Sequence, residues 1–154
     1  MADFAHNISK GRTVGYADRI NANDPANSAF VVEVINTSAT DAVLKDLDTF
    51  ALIEADGNTA EVTNSGYARK TITDSSGMTV TVDDTNDRIA IDIADQTWTA
   101  VAAGTAWTDV VVGYDSDTTA GTDANIAPVS QHDFPITPDG SDITATVADF
   151  YRAG

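Results

Sequence analysis

From Met78 to Ile93 the chain alternates with period two. Met78, Val80 and Val82 fall on one face of a strand and Thr79, Thr81 and Asp83 on the other. Ile89, Ile91 and Ile93 then alternate with Arg88, Ala90 and Asp92. That pattern predicts an antiparallel hairpin with one apolar and one wet face, turning through the acidic loop 83–87. Upstream, "SAFVVEVIN" (28–36) is nearly continuous in apolar, mostly β-branched residues, as in a central strand covered on both faces. "GYARKTIT" (66–73) leads through a turn from Asp74 to Gly77 into the hairpin. "TWTAV" (97–101), "AWTDVVVGYD" (106–115) and "HDFPITPDGSDITATV" (132–147) supply further strands. Within the last, Pro138-Asp139-Gly140 predicts a turn, because proline presets φ, aspartate bonds the backbone and glycine accepts positive φ. It is expected to reverse the chain between Phe134/Ile136 and Ile143/Ala145.

Helical periodicity is expected in one place. In "TDAVLKDLDTFALIEADGN" (40–58), Leu44, Leu47, Ala51 and then Glu54 or Ala55 recur at three- and four-residue spacing, with Gly57 at the stop position. Asp48 and Thr49 are placed to divide this helix. Residues 1–27 carry a broken apolar pattern (Phe4, Ile8, Val14, Tyr16, Ile20) and end in a loop where Pro25 disfavours helix at its predecessor. The expectation is mainly β: an antiparallel β-sandwich or barrel, jelly-roll-like, with one short helix. An extended N-terminal arm (1–27) precedes a β-sandwich domain (28–154).

The formal charge of −16 is unevenly spread, because three of the eight basic residues, Lys10, Arg12 and Arg19, lie in the first twenty positions. The body is therefore a strongly anionic surface that repels phosphate backbones and anionic lipids, so neither nucleic acid nor membrane is expected as a partner. All but three of the 24 acidic residues are Asp, the acid that turns prefer. There is no cysteine, which removes disulfides, thiolate metal sites and cysteine nucleophiles. No apolar core of signal-peptide length opens the chain, and no run approaches the length of a membrane span.

Candidate chemistry is sparse. "DSDTTAGTD" (115–123) holds Asp115, Asp117 and Asp123, oxygen ligands of the kind calcium takes. A calcium loop counted from Asp115 would need glycine and glutamate where Ala120 and Ile126 stand, so a solvated loop is expected and no metal. "DDTND" (83–87) is expected to be a hairpin loop. His132 beside Asp133 does not make a base with its orienter, because neighbouring strand residues point to opposite faces. No nucleophile motif or phosphate loop accompanies either histidine, so no catalytic residue and no cofactor are expected. Trp98 and Trp107 are candidates for a sugar-binding platform but are expected to pack in the core.

The segments "GYARKT", "VTVDDTNDRI", "WTAV", "AGTAW", "TPDGSDITATVADF" and the terminal "YRAG", spanning Ser65 to Arg152, resemble a family of small virion structural proteins of tailed bacteriophages. The resemblance implies a virion component and leaves its position open. Charge then favours the capsid exterior, since an acidic body is repelled from packaged DNA. The expected role is a decoration, or cement, protein on the outer surface of the head. Its expected partners are the major capsid protein and itself, as a homotrimer at three-fold junctions or else a dimer at two-fold ones. The alternatives are a minor head–tail or tail component and a carbohydrate-binding surface module. The expected capsid contacts lie in the N-terminal arm: Phe4, Lys10, Arg12, Tyr16 and Arg19.

Overall fold

A β-branched run free of glycine and proline favours extended backbone, and Ala29–Thr37 forms the long central strand β2. The computed structural model describes residues 2–73 and 77–153. In chain order its elements are β1 (Phe4–Ala5), a 3₁₀ turn (Asn7–Ser9), α1 (Thr13–Ala22), β2, α2 (Asp41–Leu44), α3 (Phe50–Ala55), β3 (Thr59–Glu61) and β4 (Lys70–Ile72). There follow β5 (Met78–Asp83), β6 (Arg88–Ile93), β7 (Gln96–Trp98), β8 (Trp107–Asp115), a second 3₁₀ turn (Asp123–Asn125), β9 (Ala127–Ile136), β10 (Ile143–Ala145) and β11 (Tyr151–Ala153). The main sheet is antiparallel in the order β1-β9-β8-β2-β3, with β4 also on β2, and two smaller sheets are β11-β6-β5 and β10-β7. The fold is mainly β and sandwich-like, as its periodicity predicts.

Alternation along β2 divides the core in two. Phe30, Val32 and Val34 enter one apolar cluster with Val110 and Val112 of β8, Ile91 and Ile93 of β6, Ala17 and Ile20 of α1, and both tryptophans. Val31 and Ile35 enter the other, with Leu44 of α2, Phe50 and Ile53 of α3, and Val111. The register shift between Trp107 and Asp109 is a bulge that places Trp107 in the first cluster although it shares parity with Val111. Trp98 and Trp107 are each 1% exposed and meet edge to face at 5.3 Å. Trp98 donates to the Ala68 carbonyl and Trp107 to the Asn64 side chain. They are core residues, and no sugar platform exists at this pair.

The hairpin forms in the expected register, Met78↔Ile93, Val80↔Ile91 and Val82↔Ile89. Its apolar face loses cover toward the tip: Met78 is buried, whereas Val82 is 68% exposed. The turn from Asp74 to Gly77 lies mostly outside the described residues. The 40–58 segment is two helices, divided where Thr49 caps α3 by accepting from the Leu52 amide.

The expectations of an extended arm and of a single short helix both fail. Residues 1–27 are not an extended arm: β1 pairs with β9, the His6 amide donates to Val129, and α1 buries Thr13, Ala17 and Ile20 against the sheet. The buried stripe of α1 steps by four and three residues, as a helix requires. It is built from threonine and alanine as much as from isoleucine, so an apolar count misses it. The Pro138-Asp139-Gly140 turn does form, with Gly140 at φ 101° and the Ser141 amide on Asp139. Beyond the turn Ile143 pairs with Trp98 of β7.

Candidate functional site

Where the eight basic side chains go defines the surface. Arg69, Arg88 and Arg152 are held in ion pairs with carboxylates. Lys45 lies over the Phe4 ring and Lys70 over Trp98. Lys10 donates to Asn7 at 2.7 Å. Arg12 and Arg19 are exposed, and neither guanidinium has a protein partner among the described residues. Two free guanidinia on a chain of charge −16 form a local cationic face.

Arg12 is the residue just before α1, and Gly15, Tyr16 and Arg19 follow it by three, four and seven positions, so all four share one side of the helix. With Gly11 they line an open depression of about 430 Å³. The floor exists because two side chains are missing: a Cβ built on Gly11 or Gly15 would meet no atom within 4 Å. Tyr16 forms one wall, its ring stacked on Tyr114 of β8 with centroids 4.2 Å apart and planes 4° apart.

Of the residues expected to contact a partner, Arg12, Tyr16 and Arg19 are therefore brought together, and Lys10 lies one residue before the rim. Phe4 is not part of this face. Its ring packs with the cluster beneath α2 and α3, whereas α1 packs with the opposite cluster. Gly11 and Gly15 went unrecognised in the sequence. The signal available was their spacing in "KGRTVGYADR", four residues apart and flanked by arginines.

A second charged assembly centres on Arg69. Its Nε and Nη2 donate to the two oxygens of Glu61 at 2.8 and 2.9 Å, and Nη2 also donates to Glu54 at 2.5 Å. Nη1 donates to Asp123, and Glu33 lies 3.4 Å from Nη2. Burial pushes the Glu33 carboxyl up to about 9, with the Arg69 charge opposing and the neighbouring acids adding. Glu54 is raised, chiefly by burial and by Asp123. Glu33, Glu54 and Glu61 bring one oxygen each within 4.8 Å of one another, a spacing that could hold a metal ion. The Arg69 Nη2 already lies against all three, so the cation of this cluster is the guanidinium, tying β2, α3, β3 and the Asp123 turn together.

The aspartates of the 115–123 loop do not converge. Asp115 accepts from the Asp117 amide, Asp117 accepts from Thr119, and Asp123 turns to Arg69. In the hairpin loop Asp83 accepts from Asn86 and Arg88. His132 faces Asp3 at 3.3 Å and Ser130 at 2.9 Å beside a cavity of about 210 Å³ floored by Val32, Val110, Val112 and Phe150. Ser130, whose hydroxyl is in that group, is only 3% exposed and does not line the cavity. His6 is wholly buried; burial pulls its ring down to about 4, with the Leu44 and Leu47 carbonyls and Gln131 opposing. The α1 depression is the feature best suited to a partner: accessible, concave, rigidly backed and opposite in charge to the rest of the molecule. No protein-family model, no curated protein and no solved structure matches the chain.

Proposed function

We propose that the chain is a decoration protein of a tailed-bacteriophage head, a non-enzymatic subunit that binds the outside of the assembled shell and reinforces it. The observation that carries this reading is the cationic α1 face on an otherwise anionic body. Such a distribution orients the subunit, with α1 toward an acidic patch of the capsid protein and the acidic remainder toward solvent. The Ser65–Arg152 resemblance supplies the virion context, and the sandwich-like body supplies a rigid block.

The attachment differs from a segment that orders on binding. The first 27 residues contribute β1 and α1 to the core, so the contact surface is preformed and the ordering cost of a disordered arm is absent. Homotrimers at three-fold junctions would multiply one contact into a strong attachment. Cryo-electron microscopy of intact virions tests the reading: density is expected over the head shell at three-fold positions, and heads lacking the protein are expected to burst at lower temperature. Density at two-folds would replace the trimer by a dimer. Density confined to the tail or connector would refute decoration.

A further inference from the structure

We infer that the depression over Gly15 is a preformed dock for an acidic segment of the capsid protein, whose carboxylates are gripped by Arg12 and Arg19 on either side of Tyr16. This rests on the decoration reading and specifies its contact. The first support is the idle state of the two arginines. Acidic residues outnumber basic ones by 24 to 8, and Arg69, Arg88 and Arg152 are each claimed by carboxylates of their own chain. Arg12 and Arg19 are left with their forked donors turned to solvent, the geometry that takes a carboxylate bidentately.

Gly15 provides the second. Glycine inside a helix is destabilising relative to alanine, and nothing packed around Gly15 excludes a side chain. The chain forgoes that stability at the residue that floors the depression. What glycine provides there is room for a partner to approach the helix backbone between the two arginines. Seven residues separate Arg12 from Arg19, roughly 10 Å along a helix axis. The fitting occupant is a segment that crosses α1 with two acidic side chains about that far apart. A nucleic-acid backbone offers similar anions but extends beyond the patch, where a body of charge −16 repels it.

Purified heads assembled without this protein are the probe, with occupancy measured against added full-length protein. Wild type should bind, and Gly15→Trp, which fills the depression, should bind about a hundredfold more weakly with its fold intact by circular dichroism. Arg12→Glu with Arg19→Glu should lower affinity by at least about tenfold. Arg12→Lys with Arg19→Lys should fall between, because the charge stays while the fork is lost. Heads whose carboxylates are capped by carbodiimide and glycinamide should not bind wild type. Duplex DNA should not bind it either.

If Gly15→Trp and the glutamate pair decorate heads as wild type does, the dock is wrong while decoration stands. If wild type fails to bind heads, decoration falls and the dock with it. Full affinity of the lysine pair, or of capped heads, would overturn the carboxylate grip, as would binding of duplex DNA that Gly15→Trp abolishes. Self-association of the free protein that Gly15→Trp removes, with head binding retained, would make the occupant a second copy and overturn the assignment.

Discussion

The two faces of the main sheet are built on different chemistry. Toward α1 and the hairpin, the buried side chains of β2 and β8 are Phe30, Val32, Val34, Val110 and Val112, with the tryptophans beside them. Toward α2 and α3 the same two strands and β9 bury Glu33, Asp109 and Gln131 among Val31, Ile35 and Val111, with His6 sealed in nearby. An apolar face stabilises by area removed from water and responds little to pH. A face that buries ionisable groups is stable only while they hold the protonation state that burial favours. One sheet thus keeps the buried acids Glu33 and Asp109 on one side and an apolar strand surface on the other.

The largest expected effect belongs to the first face. Trp107→Ala removes a wholly buried ring and leaves the buried Asn64 oxygen without its donor. The expected loss is about 4 kcal/mol, or roughly 10 °C in melting temperature. It should be equal at pH 5 and pH 8, so that the stability curve falls without changing shape. A loss that varied by more than about 1 kcal/mol across that range would mean that the apolar face communicates with titrating groups, and the contrast would dissolve.

Glu33→Gln probes the second face. The folded value of Glu33, about 9, lies above the ordinary 4.5. The contribution of the neutral carboxyl is therefore complete below pH 4.5 and is lost as pH rises through about 9. Glutamine keeps the shape and cannot ionise. The variant should match wild type at pH 4 and exceed it at pH 8 by roughly 3 kcal/mol in chemical denaturation. Equal stability of the two proteins at pH 8 would show that Arg69 holds Glu33 ionised, and the Arg69 cluster would then be a fully charged one.

The contrast between faces also marks what the sequence could disclose. Period-two alternation in 78–93 and the apolar run in 28–36 report local geometry, and those strands appear where expected. Thr49, a capping residue, divides the 40–58 helix as expected. Glu33 was visible as one acid within "VVEVI", but its partners Arg69, Glu54, Glu61 and Asp123 come from separate elements that only the folded topology unites. Helix α1 was hidden for a different reason: Thr13 and Ala17 are buried by contact with the sheet rather than by their own hydrophobicity. The arginines of the α1 face could be named in advance because charge is local, whereas the depression between them depends on a helix that the pattern did not announce.

His6 offers the finest test of the comparison, on the acid side. Its ring is held down to about 4 from the ordinary 6.5 because burial disfavours the imidazolium. The contribution of the neutral ring is present above pH 6.5 and is lost as pH falls through about 4. Acidification also protonates surface aspartates and relieves the repulsion of a chain at −16, an effect that masks the histidine in wild type alone. Subtracting the curve of His6→Leu removes the shared surface contribution. Leucine is apolar, of similar bulk, and cannot take up a proton. Between pH 7.5 and pH 5 the variant should gain on wild type by roughly 1–2 kcal/mol. Parallel curves would assign the acid limb to the surface carboxylates and leave Glu33 as the titrating group that distinguishes the helix-covered face.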